Sequence, residues 1–398
     1  MGLFKGFPPS VWATAFATLV AFMGIGVVDP ILPLIGRAMG ASPAQVEWLF
    51  TSYIGIMAVA MLLSGVVATR LGGKRTLTLG LAMVVVFSTL SGLSPSIPVL
   101  ALFRAGWGLG NAFFTSTALS IIVGLSAGGM GPAITLYEAA LGLGVASGPL
   151  LGGFLGSMSW RDPFFGTASL MAIGVILTTT LVREPPRREP PRTARDLWRA
   201  LGHGPVRTNA LIGLSYSFGF FVILAYSPLT LRNLSAAALG VTYFAWGLLV
   251  AVSSVVVVNL LLRRFHPLAI LTVDLICLWG VMLAMGTVQG LVLLLWIVVT
   301  GFFCGIANAL FTTLAMEISP YPRSISSAAY NFLRWAGAAV APVLSGIVGQ
   351  RLGLTVPFFM AAAVLAVGIA ALLMQQGRLR QALAEQLGSG PEPHLARK

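Results

Sequence analysis

Charge is what this chain lacks most. Only 9% of its 398 residues are Asp, Glu, Lys or Arg, and just 11 are acidic. Soluble domains carry about 25% charged residues, so the scarcity excludes a water-soluble globule. Cysteine is nearly missing: Cys277 and Cys304 fall in different apolar runs and give no basis for a disulfide framework. With three His residues, those two cysteines form no metal-ligand spacing. A phosphate-binding loop is missing too, since "GGKRT" (Gly72 to Thr76) lacks its first Gly and its spacing. Metal, nucleotide and organic cofactors are therefore not expected, and no convergent catalytic set points to an enzyme. The first apolar run has no small-x-small cleavage site and carries Asp29, so it reads as a retained span.

What the chain has in abundance is apolar length: 57% of residues are hydrophobic and mean hydropathy is +0.92. A helix needs about 20 mostly apolar residues to cross a bilayer. Twelve runs qualify, centred on 11–35, 46–68, 76–94, 97–122, 131–156, 163–182, 208–231, 238–262, 267–287, 290–315, 325–349 and 356–375. The expected fold class is an all-α membrane protein of twelve transmembrane helices.

The net charge of +13 is placed for a membrane and not for nucleic acid. Of 24 Lys and Arg, four (Arg37, Arg161, Arg232, Arg351) fall on one predicted side and two (Arg104, Arg334) within spans; the other 18 share the opposite side. Positive charge marks the cytoplasmic loops, which puts both termini in the cytoplasm.

An Arg- and Pro-rich segment, 183–207, divides the spans six and six, with a short surface helix expected from Thr193 to Leu201. The domains expected are a six-helix bundle over 1–182, this linker, a second bundle over 208–375, and a cytoplasmic tail over 376–398. The halves share sequence. "GLGNAFFT" (Gly108 to Thr115) matches "GIANALFT" (Gly305 to Thr312) at an offset of 197, which aligns Asn111 with Asn308. "YEAALGLGVASGPLLGG" (from Tyr137) matches "YNFLRWAGAAVAPVLSG" (from Tyr330) at an offset of 193. Such repeats predict two pseudo-symmetric bundles related by an axis along the membrane normal.

These features resemble the major facilitator superfamily, and within it the twelve-helix drug:proton antiporter branch, along essentially the whole chain. "GVASGPLLGG" (Gly144 to Gly153) fits that branch's G-x-x-x-G-P-x-x-G-G motif at every fixed position. "GVVATRLGGKR" resembles its cytoplasmic loop motif through Gly65, Arg70, Gly72, Lys74 and Arg75, with Thr69 where the family has Asp. "RAGWGLG" (from Arg104) resembles the helix-4 motif, with Trp107 replacing Gln, and "DPILP" (from Asp29) the helix-1 motif. "VEWLFTSY" and "YNFLRW" look most like bacterial multidrug-resistance exporters. The resemblance implies a location in the bacterial inner membrane. It also implies that the missing Asp at Thr69 leaves the inner gate held by other means.

Gly144, Gly148 and Gly152 recur every four residues on one helical face, where a second backbone can approach. Pro149 removes a backbone hydrogen bond and favours a bend. The resemblance implies that this groove, with Gly153, presses on the other half as a gate; ordinary tight packing is the alternative.

An ionisable group at mid-bilayer costs at least about 2.5–3.5 kcal/mol on insertion scales, so each is a candidate site. Asp29 and Arg104 lie at the same depth, roughly 9–10 Å from the outer side by helix rise. They are expected to pair, either as a strut or as a switch in which Arg104 acts on Asp29. Glu138 stands roughly 10 Å and Arg334 roughly 15 Å from the inner side, in opposite halves. Glu138 is the expected proton site with Asp29 beside it in that role, and Arg334 its partner or an anchor for an anionic substrate group. Asp274 is expected to neutralise Arg264 or Arg323, and Glu47 and Glu317 to be solvated near helix ends. Tyr137 and Tyr330, paired by the repeat, are expected to line a substrate cavity with Asn331, Asn111, Asn308, Tyr53, Tyr226, Trp246 and Trp335.

The expected function is proton-coupled export of small amphipathic compounds by alternating access, by a monomer whose partners are substrate, protons and lipid. The rivals are an importer, symporter or facilitator for a small nutrient, or an exporter dedicated to one metabolite, siderophore or lipid.

Overall fold

The structure is a computed structural model that describes residues 7–126, 130–184, 194–231, 233–321 and 323–388. Its twelve long apolar helices are α1 (Pro9–Ala38), α2 (Pro43–Leu71), α3 (Gly73–Gly92), α4 (Ile97–Leu125), α5 (Met130–Gly156) and α6 (Asp162–Leu181), followed by α7 (Gly204–Thr230), α8 (Ala236–Leu262), α9 (Pro267–Thr287), α10 (Gly290–Glu317), α11 (Arg323–Leu352) and α12 (Val356–Gly388). Each is long and apolar enough to cross a membrane, as the hydropathy predicts. Among the described residues there is no strand. Twelve crossings return the chain to its starting side. That side is here the terminal face, and the other the distal face.

Proline and small polar residues set the helix starts. Pro9, Pro43, Pro98, Pro163, Pro205 and Pro267 stand in first turns, where a missing N–H costs nothing. Ser42 and Gln45 form a reciprocal capping box on α2, and Ser235 caps α8. Inside α1, "DPI" forms a 3₁₀ turn over Asp29–Ile31. Pro30 and Pro33 remove two consecutive-turn N–H donors there, and the helix re-forms at Leu32. α7 and α8 each carry a π-helical segment, Val222–Tyr226 and Ser253–Val257.

The packing has the two-fold symmetry that the repeats predict. α1 packs on α5 and α6, as α7 does on α11 and α12; α4 packs on α2 and α3, as α10 does on α8 and α9. Between the lobes α2 packs on α11 and α5 on α8, and moving six places along the chain turns one pair into the other. The correspondence reaches single atoms. A Cβ on Gly108 would collide with the Tyr53 carbonyl, and one on Gly305 with the Val250 carbonyl, both 197 residues further on.

Two segments differ from the hydropathy reading. α7 begins at Gly204, ahead of the span expected from 208. α12 continues to Gly388 through the expected polar tail, because Leu379, Ala382 and Leu383 form a buried stripe along it. The linker holds a short helix, Ala194–Gly202, packed on α7 and α11, with Trp198 edge-on to Phe332 at 6.0 Å. Residues 185–193, and so Arg187, Arg188 and Arg192, lie outside the described residues.

Candidate functional site

The glycine groove of α5 has a different partner from the one expected. A Cβ on Gly144, Gly148 or Gly152 would meet the carbonyl oxygens of Leu19, Met23 and Val27 in turn. All three belong to α1, in the same lobe. The four-residue spacing of the glycines meets a four-residue spacing of carbonyls on a parallel helix, so the groove fixes α5 to α1. Gly337 of α11 repeats the contact against Leu214 of α7. Pro149 packs its ring on Gly26, beside the 3₁₀ turn.

The face that meets the other lobe is the next one round. Gly153 would touch the Ala236 oxygen and Gly240 Cα of α8, and Gly240 lies against the Pro149 oxygen. Gly247 lies against Ala146. The second seam joins α2 to α11: Gly346 lies against Ala44, and Thr51 Oγ1 donates to the Ala339 oxygen at 2.6 Å. Positions 153, 149, 146, 142 and 138 share one helical stripe. The seam is closed from Gly153 to Ala146, whereas Gly142 has nothing within 4 Å of where a Cβ would stand. Among the described residues, these contacts between the lobes run from the distal face to mid-membrane, and Gly142, one turn below Ala146, faces open space. Glu138 follows on the same stripe, at this open level; its side chain lies outside the described residues.

Asp29 and Arg104 do not pair. Both Asp29 oxygens and both terminal Arg104 nitrogens lack a hydrogen-bond partner, although both residues are fully buried. Arg104 Nε donates to the Leu49 oxygen at 3.4 Å, and its guanidinium lies between aromatic faces, 4.3 Å from the Tyr53 centroid and 4.7 Å from that of Trp107. Trp107 therefore supplies a π face where the resembled motif has an amide. Asp29 is near enough to both Arg104 and Glu47 for each to act on it electrostatically. Glu47 corrects the reading most. Expected in solvent, it is 0% exposed, with both carboxyl oxygens unpartnered, because α11 covers it.

Several residues expected in a cavity are used inside their own lobes. Tyr53 and Asn111 share a hydrogen bond of 2.5 Å, and Tyr53 is fully buried. Trp246 Nε1 donates to Thr300 Oγ1 at 3.1 Å. Tyr226 donates to the Leu354 oxygen at 3.0 Å near the distal face. The polar atoms of these three rings are satisfied within the fold. The half-exposed polar side chains are instead Asn308, Asn331, Arg334 and Trp335, on α10 and α11 below mid-membrane. Arg334 lies 5.5 Å over the Trp335 ring and close to Tyr330, which stacks on Phe311. Tyr137 is 8% exposed and edge-on to Phe22. Asp274 has no hydrogen-bond partner on either oxygen, so the expected neutralising bond to Arg264 or Arg323 is not made among the described residues. It is buried because α9 faces α10 and α12 there, not a loop.

The loop motif is pinned by an acid from outside it. Gly72 has φ +90°, open to glycine at least strain, and turns α2 into α3. Glu184, just past α6, accepts from the backbone N–H of Gly73 at 2.6 Å and of Lys74 at 2.9 Å. Lys74 Nζ donates to the Thr179 oxygen at 2.9 Å. Arg70 and Arg75 are exposed, and the side chains at Gly65 and Thr69 lie outside the described residues. A carboxylate on the free N–H groups of a helix start is favourable in charge and geometry.

Comparison with known proteins agrees with this architecture. The chain is 43% identical over 374 residues to the multidrug efflux protein YfmO of Bacillus subtilis (strain 168), covering 94% of each chain. It is 24% identical over 361 residues to multidrug resistance protein 1 of the same organism, covering 88% of this chain and 92% of that one. A crystal structure of a D-xylose-proton symporter superposes with a TM-score of 0.79 at 14% identity, covering 96% of this chain and 99% of that one. The family model described as Major Facilitator Superfamily matches residues 14–342. Two symmetric six-helix lobes, glycine-tight helix contacts and this match together place the chain in the Major Facilitator Superfamily.

Proposed function

We propose that this transporter exports small amphipathic compounds from the bacterial cytoplasm in exchange for protons. The observation that carries the reading is the 43% identity, end to end, with a protein named for multidrug efflux. The seam geometry supports it: the described contacts between the lobes run from the distal face to mid-membrane, with open space below them at Gly142. The excess of Lys and Arg on the terminal side makes that side cytoplasmic, with both termini there, so this is the state that receives substrate from within. The rocking bodies are the lobes within 1–182 and 208–375, joined by the linker 183–207, with 376–398 on the cytoplasmic side.

Substrate binds at the open level, among Tyr137, Tyr330, Asn308, Asn331, Arg334 and Trp335, which offer flat apolar faces and a few polar atoms. Glu138 stands on the α5 stripe at this level and carries the proton. With the distal side open, Glu138 takes a proton and substrate leaves. Neutral, it lets the lobes rock; with the cytoplasmic side open, substrate and water favour loss of the proton. One charge crossing 100 mV corresponds to about 2.3 kcal/mol, which one-for-one exchange gains with a neutral compound; with a monovalent cation the exchange is electroneutral and the pH difference alone drives it. The test is transport by the monomer in proteoliposomes: an imposed pH gradient must drive a fluorescent amphipathic cation against its own gradient. Transport driven equally well with the pH gradient collapsed by an ionophore would overturn the reading.

A further inference from the structure

Glu47 has no part in the exchange just described, yet it is the acid most directly tied to the moving seam. It stands in the second turn of α2, close to the distal face, and is 0% exposed. Neither carboxyl oxygen has a hydrogen-bond partner. Its cover comes from the other lobe: a Cβ on Gly346 of α11 would lie 3.2 Å from Glu47 Cγ and 2.7 Å from Ala44 Cα. Gly346 thus packs against the Glu47 stem from the other lobe, and this cover leaves when α11 parts from α2. The titratable groups near it are Asp29 of α1, which Arg104 of α4 faces in turn, and Tyr243 of α8, bonded to Ser227 at 2.5 Å. On α11 itself, Arg351 is exposed at the distal end and Arg334 lies nearly five turns deeper.

A carboxylate stripped of water and left without a donor is strongly disfavoured. The neutral acid has no such cost. We propose that Glu47 is a proton-binding latch at the distal gate: the seam between α2 and α11 shuts over Glu47 only when its carboxyl holds a proton, and opening the seam releases that proton to the outside. The latch is separate from the carrier. Glu47 exchanges with the distal medium alone, so it sets when the gate closes and moves no net charge across. This rests on the proposed proton-coupled export only in making outside acidity the signal for closure; the latch itself is a property of the gate.

The experiment measures distal gate opening in the full chain in lipid nanodiscs, by the spin-label distance between Ala41→Cys and Leu352→Cys in a background without Cys277 and Cys304. If closure binds one proton, the open-to-closed ratio of the otherwise native protein rises up to about tenfold per pH unit above the range of a water-exposed carboxyl. Glu47→Gln, which keeps the shape and removes the titration, loses that one-proton slope and stays closed at high pH. Glu47→Asp restores the slope. Gly346→Ala, which crowds this cover, shifts the gate towards open at every pH and leaves the slope in place. An unchanged slope in Glu47→Gln overturns the proposal, as does a slope removed by Asp29→Asn and not by Glu47→Gln. Drug-driven proton movement is read on the same proteins in proteoliposomes: its absence in the native protein sinks the export reading and leaves the latch result standing.

Discussion

Two neighbouring glycines on α5 separate packing within a lobe from closure between lobes. Gly152 faces α1 and Gly153 faces α8. In Gly153→Ala the new Cβ would stand 2.5 Å from the Ala236 oxygen, where ordinary contact begins near 3.4 Å, so α5 and α8 must part by about 0.9 Å. Overpacking a tight contact costs about 1–3 kcal/mol. That cost exists only in the distal-closed state, since the open state has no α5–α8 contact to crowd. The open-to-closed ratio therefore rises about 5–150-fold, while each lobe keeps its stability. In Gly152→Ala the Cβ overlaps the Val27 oxygen inside one lobe, so the same order of cost falls on both states. Its melting temperature drops and its gate equilibrium does not move. Distal spin-label distances and thermal melts of the two variants give the comparison. A gate shift in Gly152→Ala with a pure melting shift in Gly153→Ala would refute the assignment of the two faces.

Trp107→Ala removes one π face from Arg104 and leaves a large buried void, so it should cost about 3–5 kcal/mol, read as loss of monodisperse protein on heating. Trp107→Gln, which returns an amide to Arg104, should keep more transport than Trp107→Leu at equal expression. Glu184→Ala leaves the Gly73 and Lys74 amides uncapped and should cost about 0.5–2 kcal/mol; hydrogen exchange at those two amides should quicken while the rest of α3 stays protected.

The helices were legible because lipid imposes a single rule on every span, and a run of about 20 apolar residues announces it. The repeat was legible because matched residues recur at fixed offsets, and the atoms behind them, such as Gly108 and Gly305, do the same job. Spacing also showed that Gly144, Gly148 and Gly152 share a face. It could not show which helix they face, since α1 and α8 both present small residues and backbone to α5. Glu47 was misread for a related reason: five residues from a helix start implies solvent only if no other lobe closes over the end. Its one visible signal was the lack of any basic residue from Ala38 to Ser52, which leaves an acid at that depth without a local partner. Tyr53, Tyr226 and Trp246 looked free because their hydrogen-bond partners, Asn111, Leu354 and Thr300, are far away in sequence. The continuation of α12 was readable in Leu379, Ala382 and Leu383, whose helical spacing outweighs the polarity between them.

The most direct test of the whole account is proton movement driven by substrate alone. Proteoliposomes with no imposed pH gradient and an interior pH dye receive a gradient of a fluorescent amphipathic cation. The native protein should move protons opposite to the cation, and Glu138→Gln should fold, bind the cation and move none. Equal proton movement in the variant and the native protein would contradict the placing of the carrier at Glu138.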